Sequence, residues 1–273
     1  MVISRLILIE AILAVLVTGA MTASAPPAAA SEAVTLLGFS SADFDILDPA
    51  SMAVIGQAHY AVVKDGDLVS LHGHDRYADG EYDFERDRFE TPAGTLPILI
   101  SADHYFFHAD GAPEIRSNFD LESGISSCID FRARRPITRT AQLAPPAHTW
   151  AGASVMIPIQ DFLRSGAAGI LVTHVLNCAP GPKIFTVKVS IAKTGTSIPF
   201  ATPGLIEVDL KPDYGWWNML IAPFVPHLRA WFDPLHRWEF MGASLARFYR
   251  GPRITLERIS ERAEHANATP PRD

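Results

Sequence analysis

Apolar and polar residues alternate along most of the chain, which is the pattern of β-strands whose two faces meet different surroundings. Over 52–63, Val54, Ala58, Tyr60 and Val62 fall at even spacings, and Lys-Asp-Gly-Asp follows them. This turn suits a hairpin, because its glycine adopts positive φ without strain. Similar segments predict further strands at 69–71, 96–107, 114–121, 127–134, 170–176, 184–192, 205–210, 237–241, 245–249 and 254–259.

One helix is expected midway along the chain. Pro145 and Pro146 interrupt the strands, because proline cannot donate to a β-ladder. The segment 159–164 follows Pro158 and precedes Gly166, which is the usual placement of proline and glycine around a helix. Either half alone would leave sheet edges open. We therefore predict a mainly β fold: an antiparallel curved sheet, half-barrel or open barrel, with one short inserted helix.

The segment 82–87 carries two kinds of side chain on its two faces. Aromatic rings and an arginine occupy one face, and the other holds three carboxylates, Asp83, Glu85 and Asp87. An acidic catalytic pair is one interpretation of these carboxylates. The pattern favours instead a solvated outer face of an antiparallel sheet.

The N-terminal segment 1–30 predicts a cleavable signal peptide. Arg5 precedes an apolar run that only Glu10 interrupts, and Ala28-Ala29-Ala30 stands before Ser31. The uninterrupted part of the run is shorter than the roughly 20 residues that span a membrane, although an uncleaved anchor is the alternative. We expect cleavage near Ala30 and a periplasmic or secreted protein, with one β-rich domain over 31–260 and a flexible tail over 261–273.

Export to an oxidising compartment changes the interpretation of the two cysteines, Cys128 and Cys178. An even number of cysteines in such a compartment favours a disulfide. Two buried thiols that act as small apolar side chains are the alternative.

Charge and motifs exclude several classes of function. The formal net charge of −7 argues against nucleic acid as a partner, because binding to phosphates needs a basic face. The sequence contains neither a Gly-x-Ser-x-Gly motif nor a glycine-rich phosphate loop. We therefore predict no cofactor and no catalytic residues.

Four histidines are candidate metal ligands. His72 and His74 are two residues apart on a predicted strand and therefore share a face. His104 and His108 are four apart and share a face in the same way. Together they would form a metal site only if their strands are neighbours. The alternative is a set of solvated or half-buried histidines at the ends and edge of the sheet.

Two segments could contact a ligand. The stretch 214–232 is rich in aromatic residues, and its candidate lid or pocket residues are Trp216, Trp217, Phe224, Trp231 and Phe232. They either pack as core at the mouth of the barrel or meet a lipid or a membrane surface. A basic run, Arg132, Arg134, Arg135 and Arg139, either binds an anionic head group or keeps a sheet edge charged.

Three motifs carry a family resemblance: the helical stretch Pro158-Ile159-Gln160-Asp161-Phe162-Leu163-Arg164-Ser165-Gly166, the Asp110-Gly111 turn and the Arg253-Ile254-Thr255-Leu256 strand. Their order resembles that of uncharacterised bacterial periplasmic proteins with an open half-barrel, which are similar to lipoprotein-carrier and lipoprotein-receptor folds. The resemblance covers about 40–260 and is poorer over 212–234. It implies a concave sheet with an apolar inner face that holds lipid in some members, and it implies no catalytic residues.

We therefore expect non-catalytic binding or carriage of an apolar ligand, such as a lipid. One alternative is a scaffold or assembly subunit with a protein partner in the cell envelope. The other is a metal-dependent hydrolase that uses the four histidines.

Overall fold

The sheet of this protein runs unbroken through every strand that the computed structural model describes. The described residues are 36–65, 68–92, 95–146, 148–178, 181–192, 204–213, 228–248 and 251–259. Within them the strands are β1 (Ser41–Leu47), β2 (Val54–Asp65), β3 (Leu68–Tyr77), β4 (Tyr82–Glu90), β5 (Ile98–Phe107), β6 (Pro113–Asp120), β7 (Ile125–Asp130), β8 (Ile137–Gln142), β9 (Thr149–Ala151), β10 (Ile170–Cys178), β11 (Pro182–Ile191), β12 (Ile206–Pro212), β13 (Leu228–Asp233), β14 (Glu239–Ala246) and β15 (Arg253–Arg258).

The strand order makes one large open sheet. It runs β8-β7-β6-β5-β4-β3-β2-β1-β15-β14-β13-β12-β11-β10-β9 through the described residues. Each neighbouring pair is antiparallel, except that the short β9 lies parallel to β10. β8 and β9 are the two edges, and β1 pairs with β15 in the middle. The prediction of a mainly antiparallel open sheet with one inserted helix is confirmed.

A disulfide joins two strands that lie next to the two edges of the sheet. Cys128 on β7 is bonded to Cys178 on β10, with their Cα atoms 5.8 Å apart. Each of these strands lies one position in from an edge, and β7 and β8 also contact β11. A covalent bond therefore closes a barrel-like fold that the strand order leaves open. The predicted pairing of the two cysteines is confirmed.

The inserted helix is longer than its sequence pattern predicted. A 3-10 turn, Gly152–Val155, leads directly into α1, Met156–Arg164. Pro158 falls inside the first turn of α1, where its missing N–H is one that the helix leaves unpaired anyway. Gly166 follows the helix with φ +65°, which glycine adopts without strain. Only the start of the helix therefore differs from the expectation.

The helix lies against the inner face of the sheet. Ile159 and Leu163 are buried in the main core, and the Gln160 side-chain amide donates to the Trp238 carbonyl oxygen at 2.7 Å. Trp150 and Phe89 are fully buried beside each other, with ring centroids 6.2 Å apart. The helix and these aromatic rings fill one end of the sheet's interior.

The opposite end of the sheet carries the β3–β4, β5–β6, β7–β8, β10–β11 and β14–β15 connections, as the antiparallel registers require. No helix within the described residues combines the length and the hydropathy needed to cross a membrane.

Candidate functional site

A cavity of about 960 Å³ extends from the start of the helix toward the opposite end of the sheet. We call that end, which carries the β3–β4 and β5–β6 connections, the open end. Its floor is the first helical turn, with Gly152, Ala153, Val155 and Met156. The walls are largely apolar side chains from both halves of the sheet: Phe106, Ile115, Phe119, Ile129, Leu176, Phe185, Val187, Leu210, Phe240, Leu245, Ile254 and Leu256. The size is that of a small-molecule site, for which about 300–1,000 Å³ is usual.

The carboxylates of β4 face this interior, which corrects the prediction of a solvated outer face. Asp87 is completely buried and Asp83 nearly so, whereas Phe84 is 37% exposed. On the outside, the Phe84 ring stacks on Tyr105 of the neighbouring strand at 4.5 Å between centroids. Phe89 is an even number of positions from the three carboxylates and therefore lies on the same face of the strand. Its ring is buried in the core, and this apolar residue was the signal in the sequence that the face points inward.

An arginine from the far side of the sheet neutralises part of this charge. Arg247 follows β14, and its Nε donates to Asp83 Oδ2 at 2.8 Å. Its Nη1 forms a second ion pair with Glu81, and its guanidinium carbon lies 4.1 Å from the centre of the Tyr77 ring. The side chain is only 3% exposed, so this ion pair is held away from bulk water.

Asp75 lies opposite Asp83 on the adjacent strand and shares a hydrogen bond with it. Burial, followed by the charges of Asp83 and Glu85, raises the pKa of the Asp75 carboxyl well above its usual range. The raised pKa favours the protonated form of Asp75, which donates to Asp83. Burial also raises the pKa of Asp83, although Arg247 opposes this effect.

A second polar group lies deeper, at the helix start. His104 Nε2 is 3.1 Å from Asp87 Oδ1 and 3.9 Å from Glu85 Oε2. Burial raises the pKa of the Glu85 carboxyl to about 8, although the His104 charge opposes it. Burial alone would lower the pKa of the His104 imidazole, but Glu85 and Asp87 outweigh it and raise that pKa to about 9.

The structure does not bring the four predicted metal-binding histidines together. His72 and His74 lie on the outer face of β3, in a groove shared with His59 and Tyr105. His104 lies inside, against Glu85 and Asp87. His108 sits at the open end, 45% exposed and with its Nδ1 3.7 Å from Glu81 Oε1. A site built from all four imidazoles is excluded, because the alternation of β3 turns the first two away from the cavity.

Of the five aromatic candidates for a lid or pocket, Trp216, Trp217 and Phe224 lie outside the described residues. Trp231 is 1% exposed, and its indole N–H donates to Glu207 Oε2 at 3.2 Å. Phe232 is fully buried in the main core against Phe240. These two side chains are packed among protein atoms, and a ligand-binding role for the aromatic stretch stays a prediction.

Basic side chains line the cavity toward its open end. They are Arg132 from the connection after β7, Arg139 from β8, Lys183 from β11 and Arg253 from β15. Arg132 also donates from Nε and Nη2 to the Asp130 carboxylate, at 3.0 and 2.8 Å. Two residues of the predicted basic run, Arg132 and Arg139, therefore belong to the cavity.

Comparison with known proteins gives one structural likeness. No family model matches the chain, and no curated protein matches it. Its fold is similar to the crystal structure titled Beta-barrel-like Protein of Domain of Unknown Function DUF1849 from Brucella abortus, with a TM-score of 0.44 and 11% identity. The match covers 81% of this chain and 95% of that one.

Proposed function

We propose that this protein binds an amphipathic small molecule, an acyl chain with an anionic head group, in the cavity between its helix and the open end of its sheet. The cavity of about 960 Å³ is the observation that carries the proposal. Leu176, Val187 and Leu210 are each at most 5% exposed and line it from three neighbouring strands. Burial of an acyl chain against such walls contributes about 0.8 kcal/mol for each methylene group.

The charged side chains favour one orientation of the ligand. Lys183 and Arg139 line the cavity beyond the apolar walls, toward the open end. Asp83 and Glu85 line another part of the cavity, where Arg247 is already paired with Asp83 and is not free for an anion. An anionic head group therefore has a favourable place beside the basic side chains, while the acyl chain lies among the apolar ones.

Export and carriage between membranes belong to the same proposal. The signal-peptide pattern over 1–30 supports a periplasmic location, and the sequence resemblance to lipoprotein carriers supports a carrier role. A disulfide between Cys128 and Cys178 is consistent with an oxidising compartment. N-terminal sequencing of the protein from an envelope fraction should give Ser31 as the first residue.

Displacement of a fluorescent fatty acid tests the binding. Purified protein, extracted with organic solvent, is titrated with cis-parinaric acid, which is then displaced by palmitate or by the neutral hexadecanol. We expect saturable binding and stronger displacement by palmitate. In Val187→Trp the indole occupies the cavity, and we expect at least tenfold weaker binding of the probe, a change of about 1.4 kcal/mol.

The matched control makes the same substitution outside. Val172 is on the adjacent strand β10 and is 53% exposed, so Val172→Trp should bind as the wild type does. Equal binding by Val187→Trp would show that the probe sits elsewhere and would remove the basis of the proposal. Lys183→Glu should weaken palmitate more than hexadecanol, and an equal loss for both would refute the placement of the head group.

A further inference from the structure

Three potential metal ligands converge at the floor of the cavity. Glu85 and Asp87 are two residues apart on β4 and point inward, and Glu85 pairs directly with His104 on β5. One ligand atom from each of the three lies within 4.8 Å of both others. Ligands at about 2.1 Å from a tetrahedral metal lie about 3.4 Å apart, so small side-chain rotations bring these atoms to bonding positions.

The helix start holds Glu85 in place and leaves one of its oxygens available. The Ala153 N–H donates to Glu85 Oε1 at 2.9 Å, which turns Oε2 toward His104. A Cβ on Gly152 would lie 2.6 Å from both Glu85 Oε2 and His104 Cε1. Glycine at this position, with φ +46°, therefore keeps the space beside these two side chains clear.

Asp87 supplies an independent sign of a missing partner. The residue is completely buried, and Oδ1 is its contact with His104. Among the described residues, Asp87 Oδ2 has no hydrogen-bond partner. A buried carboxylate oxygen without a partner is costly, typically by more than the 1–3 kcal/mol of a neutral polar group, and a cation at this place supplies the partner.

The other acidic group in the structure is a poorer candidate for a metal. Glu81, His108 and Glu114 also lie close together at the open end. However, the Arg247 guanidinium already pairs with Glu81 there and supplies the positive charge. At the deeper group the partners are the His104 imidazole and the Ala153 N–H, so a divalent ion would displace an imidazole proton there and would not compete with a guanidinium.

We propose that Glu85, Asp87 and His104 bind one divalent transition-metal ion. Two carboxylate oxygens and one imidazole nitrogen suit Zn²⁺, Mn²⁺ or Fe²⁺. Glu85 and His104 line the cavity, so the remaining coordination positions face it. Three protein ligands with an open position are typical of reactive rather than purely structural metal sites. The proposal goes beyond binding of an apolar molecule, and protein stripped of any bound lipid can test it.

Titration calorimetry with ZnCl₂ and with MnCl₂ on chelator-treated protein is the test. We expect one ion per chain for the wild type. Glu85→Gln keeps an oxygen acceptor for Ala153, and Asp87→Asn keeps the side-chain volume, so both should fold. Replacing a direct ligand should weaken binding by more than the 10–100-fold typical of residues that only support a ligand. Co²⁺ absorption of the wild type should show nitrogen and oxygen coordination, and both variants should lose it.

The outer histidines provide the matched control. His72→Gln/His74→Gln removes two imidazoles from the opposite face and should keep one ion per chain with unchanged affinity. Loss of binding in this control, with retention in Glu85→Gln, would place the ion on the outer face and overturn the proposal. If both interior variants fail to fold, the test is thermal melting of the His72→Gln/His74→Gln protein with and without each metal. A melting temperature that neither metal changes would refute the site.

Discussion

Replacing both cysteines by alanine, in Cys128→Ala/Cys178→Ala, should lower the free energy of unfolding by about 4 kcal/mol. The bond closes a loop of 50 positions, and the chain-entropy model gives this value for such a loop. In a domain of this size, 1 kcal/mol shifts the melting temperature by about 2–4 °C, so we expect a fall of about 8–16 °C. In addition, local opening of the native sheet should increase near the bond, between β7 and β10.

Thermal and urea unfolding of the two proteins measure the global effect. Reduction of the wild type with dithiothreitol should reproduce the shift, and reduction of the double variant should change nothing. Amide hydrogen exchange then locates the effect, since β7 and β8 lie at one end of the sheet and should lose protection before the central β1 and β15. A double variant that melts within about 2 °C of the wild type, with unchanged exchange in β8, would refute our view that this bond holds the two ends together.

Two further substitutions test the interior. Phe89→Ala should lower the free energy of unfolding in urea by about 3–5 kcal/mol, because the ring is fully buried against Trp150. Phe84→Ala, on the outer face of the same strand, should lower it clearly less, and equal losses would contradict the assignment of the faces. The pKa of Asp75 is higher in the folded protein than in the unfolded chain, so above about pH 4 the native protein binds more protons. The free energy of unfolding should therefore fall as pH rises, by up to about 1.4 kcal/mol per pH unit. Asp75→Asn keeps a donor for Asp83 and removes this slope, so it should match the wild type near pH 4 and exceed its stability near pH 8; parallel pH profiles would show that Asp75 is ionised in the native state.

The alternation of side chains predicted most of the sheet but missed β1 over 41–47, although the burial of that strand does alternate. It also missed two strands that have no contrast between their faces. β8 is exposed at five of its six positions, and β9 is buried throughout its three, so neither carries a period of two. The segments 237–241 and 245–249 were expected as two strands, but 239–241 and 245–246 belong to one strand, β14, with Gly242 inside it. Glycine inside a strand weakens the apolar pattern, which explains why two strands were expected there.

The polar interior was assigned to the wrong face because alternation defines two faces, and the residue on this strand that indicates the inner one, Phe89, lies just beyond the 82–87 segment. Aromatic side chains at 82 and 84 suggested the core, yet they stack on the outside with Phe107 and Tyr105. The carboxylates could turn inward because Arg247 reaches Asp83 from 164 positions away. A partner so distant in sequence leaves no local signal.

The pairing of β1 with β15 also fixes the order in which the chain can be completed. Phe44 on β1 lies opposite Arg258 on β15, more than 200 positions later. During synthesis β2 to β8 can assemble as hairpins, while β1 keeps one bare edge until almost the whole chain has been made. A nascent half-sheet with such an edge is open to mispairing with other chains until β15 is available to cover it.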